Sequence, residues 1–424
     1  MLTAAKIHGF IFIALVILVL IDLYTYNGIR ASLRKFSPRV KQISFWIYWL
    51  GNGTFILSVV VTSFAFNEMG GFHGLWYRVL AGTLFLLYVP KIFYLPFLLI
   101  EDVYRLVRIL PAAIYKAVRK DKAAAVELFE GRRRFISNVG LFVASVPFTG
   151  IIYGVTKGKY NFKIHKADIS FKDLPKEFDG LRITQISDIH SGSFSDREPI
   201  QHAVDLANQQ GSDIIFFTGD LVNNRSDEME PWIDIFKQLK APMGVYSILG
   251  NHDYGDYVSW PSPEAKQANM EKLYDIHKQL GFKLMRNENT RIERKGAFID
   301  LVGIENWGKG GFTKYGDFNK AVQGITPGSF KILLSHDPSQ WDEQVINHPE
   351  KVHLTLSGHT HGAQFGVEMP GIKFSPIQFR YKHWAGLYAE NERYIYVNRG
   401  LGFIGFPGRV GIWPEITVLT LHSA

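Results

Sequence analysis

The chain has 424 residues and a net charge of +8, too long for one average domain. It contains no cysteine, which excludes disulfides, thiolate metal sites and cysteine nucleophiles; any metal must be held by His, Asp, Glu or Asn. The basic excess gathers between long apolar runs near the N-terminus, the habit of a membrane protein, and no specific nucleic-acid binding is expected.

In chain order, four runs reach the roughly 20 apolar residues that a membrane span needs: 9–26, 43–66, 76–100 and 135–153. A cleaved signal peptide would account for the first and not for the other three, so 1–155 is read as a transmembrane region. Pro90 and Lys91 interrupt the third run; Lys91 reads as a stem that faces other helices or snorkels. Arg30, Arg34, Lys35, Arg39 and Lys41 follow the first run, no Lys or Arg lies in 67–74, and 105–134 is again strongly basic. The positive-inside rule then puts the first and third loops in the cytoplasm and both termini outside. "GRRRFISNVGLFVASVPF" also resembles an internal twin-arginine export signal, although basic flanking of a span accounts for it equally. Both readings predict a multi-pass cell-membrane protein with its C-terminal domain on the extracytoplasmic side.

After a linker and first strand at 156–179 the texture changes. Short β-branched or aromatic runs alternate with amphipathic stretches such as 199–210, 231–239 and 263–280, the pattern of α/β structure. "LRITQIS" runs into Asp188, "DIIFFT" into Gly219-Asp220, and "VYSIL" into Gly250-Asn251-His252-Asp253. "KILLS" ends at His336 and "VHLTLS" at Gly358-His359-Thr360-His361. In open α/β sheets ligands gather at the carboxyl ends of strands, so five polar clusters at five strand ends can line one crevice.

The candidate donors are Asp188, His190, Asp220, Asn251, His336, His359 and His361. All are oxygen or imidazole donors, a set that suits Mn, Fe, Zn or Co more than calcium. Two such ions about 3.5–4 Å apart call for a shared anionic bridge, and an aspartate is the natural one. Asp-x-His on an extended segment presents both side chains to one side. His359 and His361 can do likewise, or part through the turn, one ring to each metal.

These clusters resemble, in order and type, the five motifs of the calcineurin-like metallophosphoesterases, and the resemblance covers 180–424. The tail "NRGLGFIGFPGRVGIWPEITVLTL" looks like the membrane-associated or exported bacterial branch of that family. The resemblance implies an αββα fold, two sheets in a sandwich flanked by helices, here preceded by the four transmembrane helices. It implies that Asp188, His190, Asp220 and His361 hold one divalent metal, and that Asp220, Asn251, His336 and His359 hold a second, with Mn, Fe or Zn the expected ions. His252 would stay off the metals and face the leaving group, where an imidazole donates a proton or steadies charge. Asp253 either orients His252 or caps the next turn.

The implied reaction is hydrolysis of a phosphoester or pyrophosphate bond. Membrane anchoring and the apolar stretch 402–413 favour a lipid-linked phosphorylated substrate. A nucleotide or cyclic-nucleotide diester is the alternative, as is a membrane sensor that uses the domain only to bind. A channel would need more intramembrane polar groups than Asp22, Asn52, Lys91 and Asn138. His202, His277, His348, His353 and His422 are expected to be structural or solvated. Tyr254, Tyr257, Trp260 and Trp307 are expected in the core or at the site mouth, and Lys309, Lys314 and Arg409 in solvent first and on a phosphate second.

Overall fold

The computed structural model describes residues 4–64, 75–119 and 130–424. The chain divides into two compact units, Met1–Tyr153 and Gly154–Ala424.

The first unit is built on helices α1 (Ala4–Ser32), α2 (Pro38–Phe64), α3 (Leu75–Arg119) and α4 (Glu130–Thr156). Four stretches are long and apolar enough to cross a membrane: Gly9–Lys35, which takes in most of α1 and the 3-10 turn Leu33–Lys35 after it, Pro38–Phe64, Trp76–Val107 and Gly131–Thr156. Helix α3 runs unbroken through Pro90 and Pro96. Its polarity is that of a protein dissolved in lipid. Phe12, Ile17, Leu57, Phe93 and Phe142 face outward, whereas Asp22, Asn52 and Lys91 are buried. Lys91 donates to the Asp22 carboxylate and to Asn52 Oδ1 at 2.5 Å, and Tyr88 donates to Asp22 at 3.0 Å. A charge in hydrocarbon is costly unless paired in the bundle interior; Lys91 faces other helices and is paired there.

In the second unit two six-stranded sheets stack. The first is ordered β1 (Lys163–Phe171), β14 (Glu415–Ser423), β2 (Leu181–Ile186), β3 (Ile214–Phe217), β4 (Val245–Ser247), β5 (Phe282–Leu284). The second is ordered β12 (Gly386–Glu390), β13 (Arg393–Val397), β9 (Leu354–Ser357), β8 (Lys331–Leu334), β7 (Ala297–Gly303), β6 (Glu288–Arg294). Strands β2 to β5 run parallel, as do β7, β8, β9 and β13. Strands β10 (Val367–Met369) and β11 (Ile372–Phe374) form a separate antiparallel hairpin.

Strand periodicity explains the layers. Ile214 and Phe216 point into the core between the sheets with Ile183, Leu301, Ile332, Leu334 and Leu356. Their neighbours Ile215 and Phe217 point the other way, against Ile200, Val204, Leu273 and Ile276 of helices α5 (Arg197–Gln209) and α7 (Pro263–Gln279), with the short α6 (Ile233–Phe236) adding Ile235 and Phe236 to the same cluster. On the outer face of the second sheet, Val302, Leu333, Ile395 and Val397 pack on Phe318 and Trp341. Central strands are therefore apolar on both faces, which is why their sequences read as continuous rather than alternating runs. Each such buried side chain contributes about 1.5–3 kcal/mol. The helices begin where caps allow: Asp196 accepts from Glu198 N at 3.2 Å ahead of α5, and Ser262 accepts from Ala265 N at 3.3 Å ahead of α7, with Pro263 in its first turn. The architecture is the αββα sandwich expected from the motifs.

Candidate metal centre

The parallel runs of both sheets bring the carboxyl ends of β2, β3, β4, β8 and β9 together, and all seven candidate donors lie on the segments that leave them. Asp188, His190 and His361 offer ligand atoms within 4.8 Å of one another; so do Asp188, Asp220 and His336. One Asp220 oxygen, Oδ2, stands 3.5 Å from His190 Nε2 and 3.1 Å from His336 Nε2. His361 Nε2 is 3.3 Å from Asp188 Oδ1 and 3.0 Å from His190 Nε2. Asn251 Oδ1 and His359 Nδ1 face each other at 2.8 Å.

The backbone is strained at this point. Asp188, His190, Asp220, His359 and His361 all have φ between 48° and 73°, a region that costs non-glycine residues about 1–3 kcal/mol each and collects at functional sites. Backbone-to-carboxylate bonds hold the strain. His359 N donates to both Asp188 oxygens at 3.0 and 3.1 Å, and His252 N donates to Asp220 Oδ1 at 2.9 Å. Glycine is required at 250 and 358 because a Cβ there would collide with the carboxylates of Asp220 and Asp188 respectively.

Charge in the cluster is arranged for a cation. Burial would raise Asp188 and Asp220, but the surrounding imidazoles hold both well below the usual carboxylate range. Burial would push His336 down, but the Asp220 and Asp188 carboxylates pull it up to about 10. Burial takes His359 down to about 4. His190 Nδ1 is buried without a hydrogen-bond partner, an expense that proteins rarely tolerate outside functional sites. Oxygen and imidazole donors converge, two carboxylates are anionic, and one imidazole nitrogen is orphaned. The residues fit divalent metal ions.

Around this cluster the structure places the remaining candidates. His252 is half-buried, 4.9 Å ring to ring from His190. Its Nδ1 lies 2.8 Å from the Asn223 carbonyl, which can only accept; Nδ1 therefore carries the proton in that bond, and Nε2 is the other working atom. Asp253 is fully buried and accepts four backbone bonds, from the N–H groups of Asp220 (2.9 Å), Leu221 (2.8 Å), Val222 (3.2 Å) and Gly250 (2.9 Å). Burial and the nearby Asp220 charge raise its carboxyl to about 7.

Tyr257 stands at the site, one of the two places the sequence allowed it, whereas Tyr381 escapes a reading of the sequence. Tyr381 OH meets His359 Nε2 at 2.8 Å, and Tyr257 OH accepts from Asn251 Nδ2 at 2.9 Å. Arg409, expected in solvent, is fully buried. Its guanidinium donates to the carbonyls of Gly402 (2.8 Å) and Arg399 (2.7 Å) and stands 3.2 Å from His361 Nδ1. Tyr254 is buried and stacks on Tyr315, while Tyr257, 37 % exposed, stands at the mouth. His277 and His353 are core histidines. In the stretch 402–413, Phe403, Phe406 and Ile412 are buried, so this segment belongs to the domain core and not to a lipid surface.

Residues 8–159 match the family model described as "Probable Calcineurin-like phosphoesterase, transmembrane domain", and residues 181–363 match "Calcineurin-like phosphoesterase". The chain is 30% identical over 298 residues to the Bacillus subtilis protein "Uncharacterized metallophosphoesterase YkuE", covering 69% of this chain and 98% of that one. It is 28% identical over 282 residues to the Danio rerio "Transmembrane protein with metallophosphoesterase domain", 64% of this chain and 60% of that one; it thus spans about three fifths of that relative's length. It is 27% identical over 291 residues to the Escherichia coli "Phosphodiesterase YaeI", 68% of this chain and 98% of that one. With four apolar helices ahead of an αββα sandwich whose strand ends carry this donor cluster, the chain is a membrane protein that belongs to the calcineurin-like metallophosphoesterases, a superfamily of phosphoester hydrolases.

Proposed function

We propose that this protein is a two-metal phosphoesterase that works at the outer face of the cell membrane. The observation that carries the reading is the position of Asp220 Oδ2 between His190 and His336, where one carboxylate oxygen can serve two ions. Asp188, His190, Asp220 and His361 would hold the first ion; Asp220, Asn251, His336 and His359 the second. Mn, Fe or Zn suits this donor set. Bound there, two divalent ions supply Lewis acidity toward the phosphoryl oxygens and acidify water.

The chain's own residues do the rest. Asn223 O holds the Nδ1 proton of His252, so Nε2 must first take up a second proton, making the ring an imidazolium, before it can donate to the departing oxygen. Asp253 positions the Asp220 and Gly250 backbones rather than the His252 ring; we assign it a positioning role. Tyr257 and Tyr381 steer Asn251 and His359 from outside the metal positions, as groups behind metal ligands commonly do.

The extracytoplasmic side follows from the basic residues of 30–41 set against their absence from 67–74. For substrate we propose a phosphate or pyrophosphate carried on a lipid, because the enzyme is held at the bilayer by four spans. A nucleotide or cyclic-nucleotide diester is the second reading, favoured by the likeness to a protein named a phosphodiesterase. The experiment is a hydrolysis screen of the purified full chain with Mn, comparing lipid-linked phosphates, nucleotide diesters and simple aryl phosphates. Chelation should abolish turnover and Mn restore it. Preference for the nucleotide diester would replace the lipid reading, and turnover indifferent to chelation would reject the metal reading.

A further inference from the structure

The hairpin of β10 and β11 is built inside out. Its two-residue turn is Pro370-Gly371, with Gly371 at φ +81°, the pairing that a tight turn with a left-handed second position favours. Its register pairs Val367 with Phe374 and Met369 with Ile372 on one face, and Glu368 with Lys373 on the other. In a water-soluble domain the apolar face of such a ribbon packs inward. Here the polar face does. Glu368 accepts from Arg399 Nε at 3.0 Å, and Lys373 donates to Ala385 O with its ammonium 4.8 Å above the Trp384 ring. The apolar face is left outward: Val367 is 42%, Met369 56%, Ile372 53% and Phe374 44% exposed. Phe379, 82% exposed, extends this face, its ring 6.4 Å from that of Phe374.

We propose that this hairpin, with Phe379, docks into the headgroup–acyl boundary of the lipid bilayer. The composition fits that occupant. Over 365–382 there is one acidic residue, Glu368, and it is paired with Arg399; Arg380 and Lys382 follow Phe379 in the chain. Apolar and aromatic groups flanked by cations are what an anionic lipid interface binds. The tether favours it further. Helix α4 ends at Thr156 and β1 begins at Lys163. The six residues between can span at most about 20 Å at about 3.3–3.6 Å each. A domain held that close meets the bilayer at an effective concentration that no free partner matches.

The same segment is bonded to the candidate metal centre. Ser375 Oγ donates to Gly362 O at 2.8 Å, and Tyr381 OH meets His359 Nε2. Docking the hairpin would therefore hold the His359–His361 loop beside the headgroups. The inference is independent of which metals or substrate the site takes, because its readout is depth in the membrane.

The chain has no cysteine, so a single substitution gives a unique label site. Ile372→Cys and Phe379→Cys, each carrying a nitroxide, are placed as full chains in nanodiscs of phosphatidylcholine and phosphatidylglycerol. Gln279→Cys, exposed at the end of α7, is the control. All three positions are at the surface, so the fold should be kept. Lipid-soluble oxygen should relax the labels at 372 and 379 more than an aqueous nickel chelate does, with the order reversed at 279. Labels at 372 and 379 as open to the chelate as the control would overturn the proposal. So would spin–spin broadening there that disappears on mixing with unlabelled chain, which would assign the face to a second copy.

Discussion

The Nε2 atoms of His190 and His361 face each other at 3.0 Å, and their rings stack 4.9 Å apart. Each also approaches a different carboxylate, His190 that of Asp220 and His361 that of Asp188. Two buried imidazoles that share a point and a pair of anions are a candidate cation site. His190→Ala or His361→Ala should each lower bound metal from two ions per chain to about one. His336→Ala should remove the other ion. Elemental analysis of the purified chains reads the ratio, and an unchanged count would take that ring out of the ligand set.

Asp253 gives a prediction of a different kind. Its carboxylate accepts four backbone N–H groups and none from the His252 ring. Removing a buried acceptor strands donors at about 1–3 kcal/mol each. Asp253→Ala should therefore lower the melting temperature of the full chain and weaken metal affinity by about 10–100-fold, as loss of a group behind a ligand does. A normal melting temperature and metal content with a slower rate would mean that Asp253 acts in proton transfer after all.

His252 should behave in the opposite way. Its Nδ1 is committed to Asn223 O, and it is its backbone N–H that bonds the Asp220 carboxylate. His252→Ala should keep metal content and lose about 10²–10⁴-fold in rate. The loss should be large for alkyl esters, whose alkoxide needs a proton, and small for nitrophenyl esters. An equal loss on both would point to phosphate positioning instead.

Much of this site could be read from the chain because its information is local. Each donor follows an apolar run, and parallel strands deliver their carboxyl ends to one edge; Asp188, Asp220 and His336 needed nothing more. The four spans were likewise written in length and hydropathy. What escaped was non-local. The Asn223 contribution is a backbone carbonyl, invisible in residue type. Arg409 looks like any exposed cation until the fold closes over it and the carbonyls of Gly402 and Arg399. Phe403 and Phe406 share the apolar texture of Phe374 and Phe379, yet the first pair is buried and the second exposed. Periodicity could not tell them apart, because the sorting is done by Glu368 and Arg399, a bond across 31 positions.

Side of the membrane is tested on whole cells. On the proposed topology, in which the basic residues of 30–41 and 105–134 would keep those loops inside, a reporter that fluoresces only in the cytoplasm, fused after Ala424, should stay dark. A bright fusion would reverse the topology and make any substrate one of the cytoplasmic leaflet.

In the two-metal reading we propose, one aspartate serves two ions. Asp220 Oδ2 lies 3.5 Å from His190 and 3.1 Å from His336, and its backbone is held at φ +61° by Asp253. Metal content and turnover of Asp220→Asn, measured on the same full-length preparation as the unmodified chain, test this most directly. The amide keeps the shape and removes the anionic bridge, so both ions should be lost or weakened together and turnover should collapse. Full two-metal occupancy with normal turnover in Asp220→Asn would contradict the account.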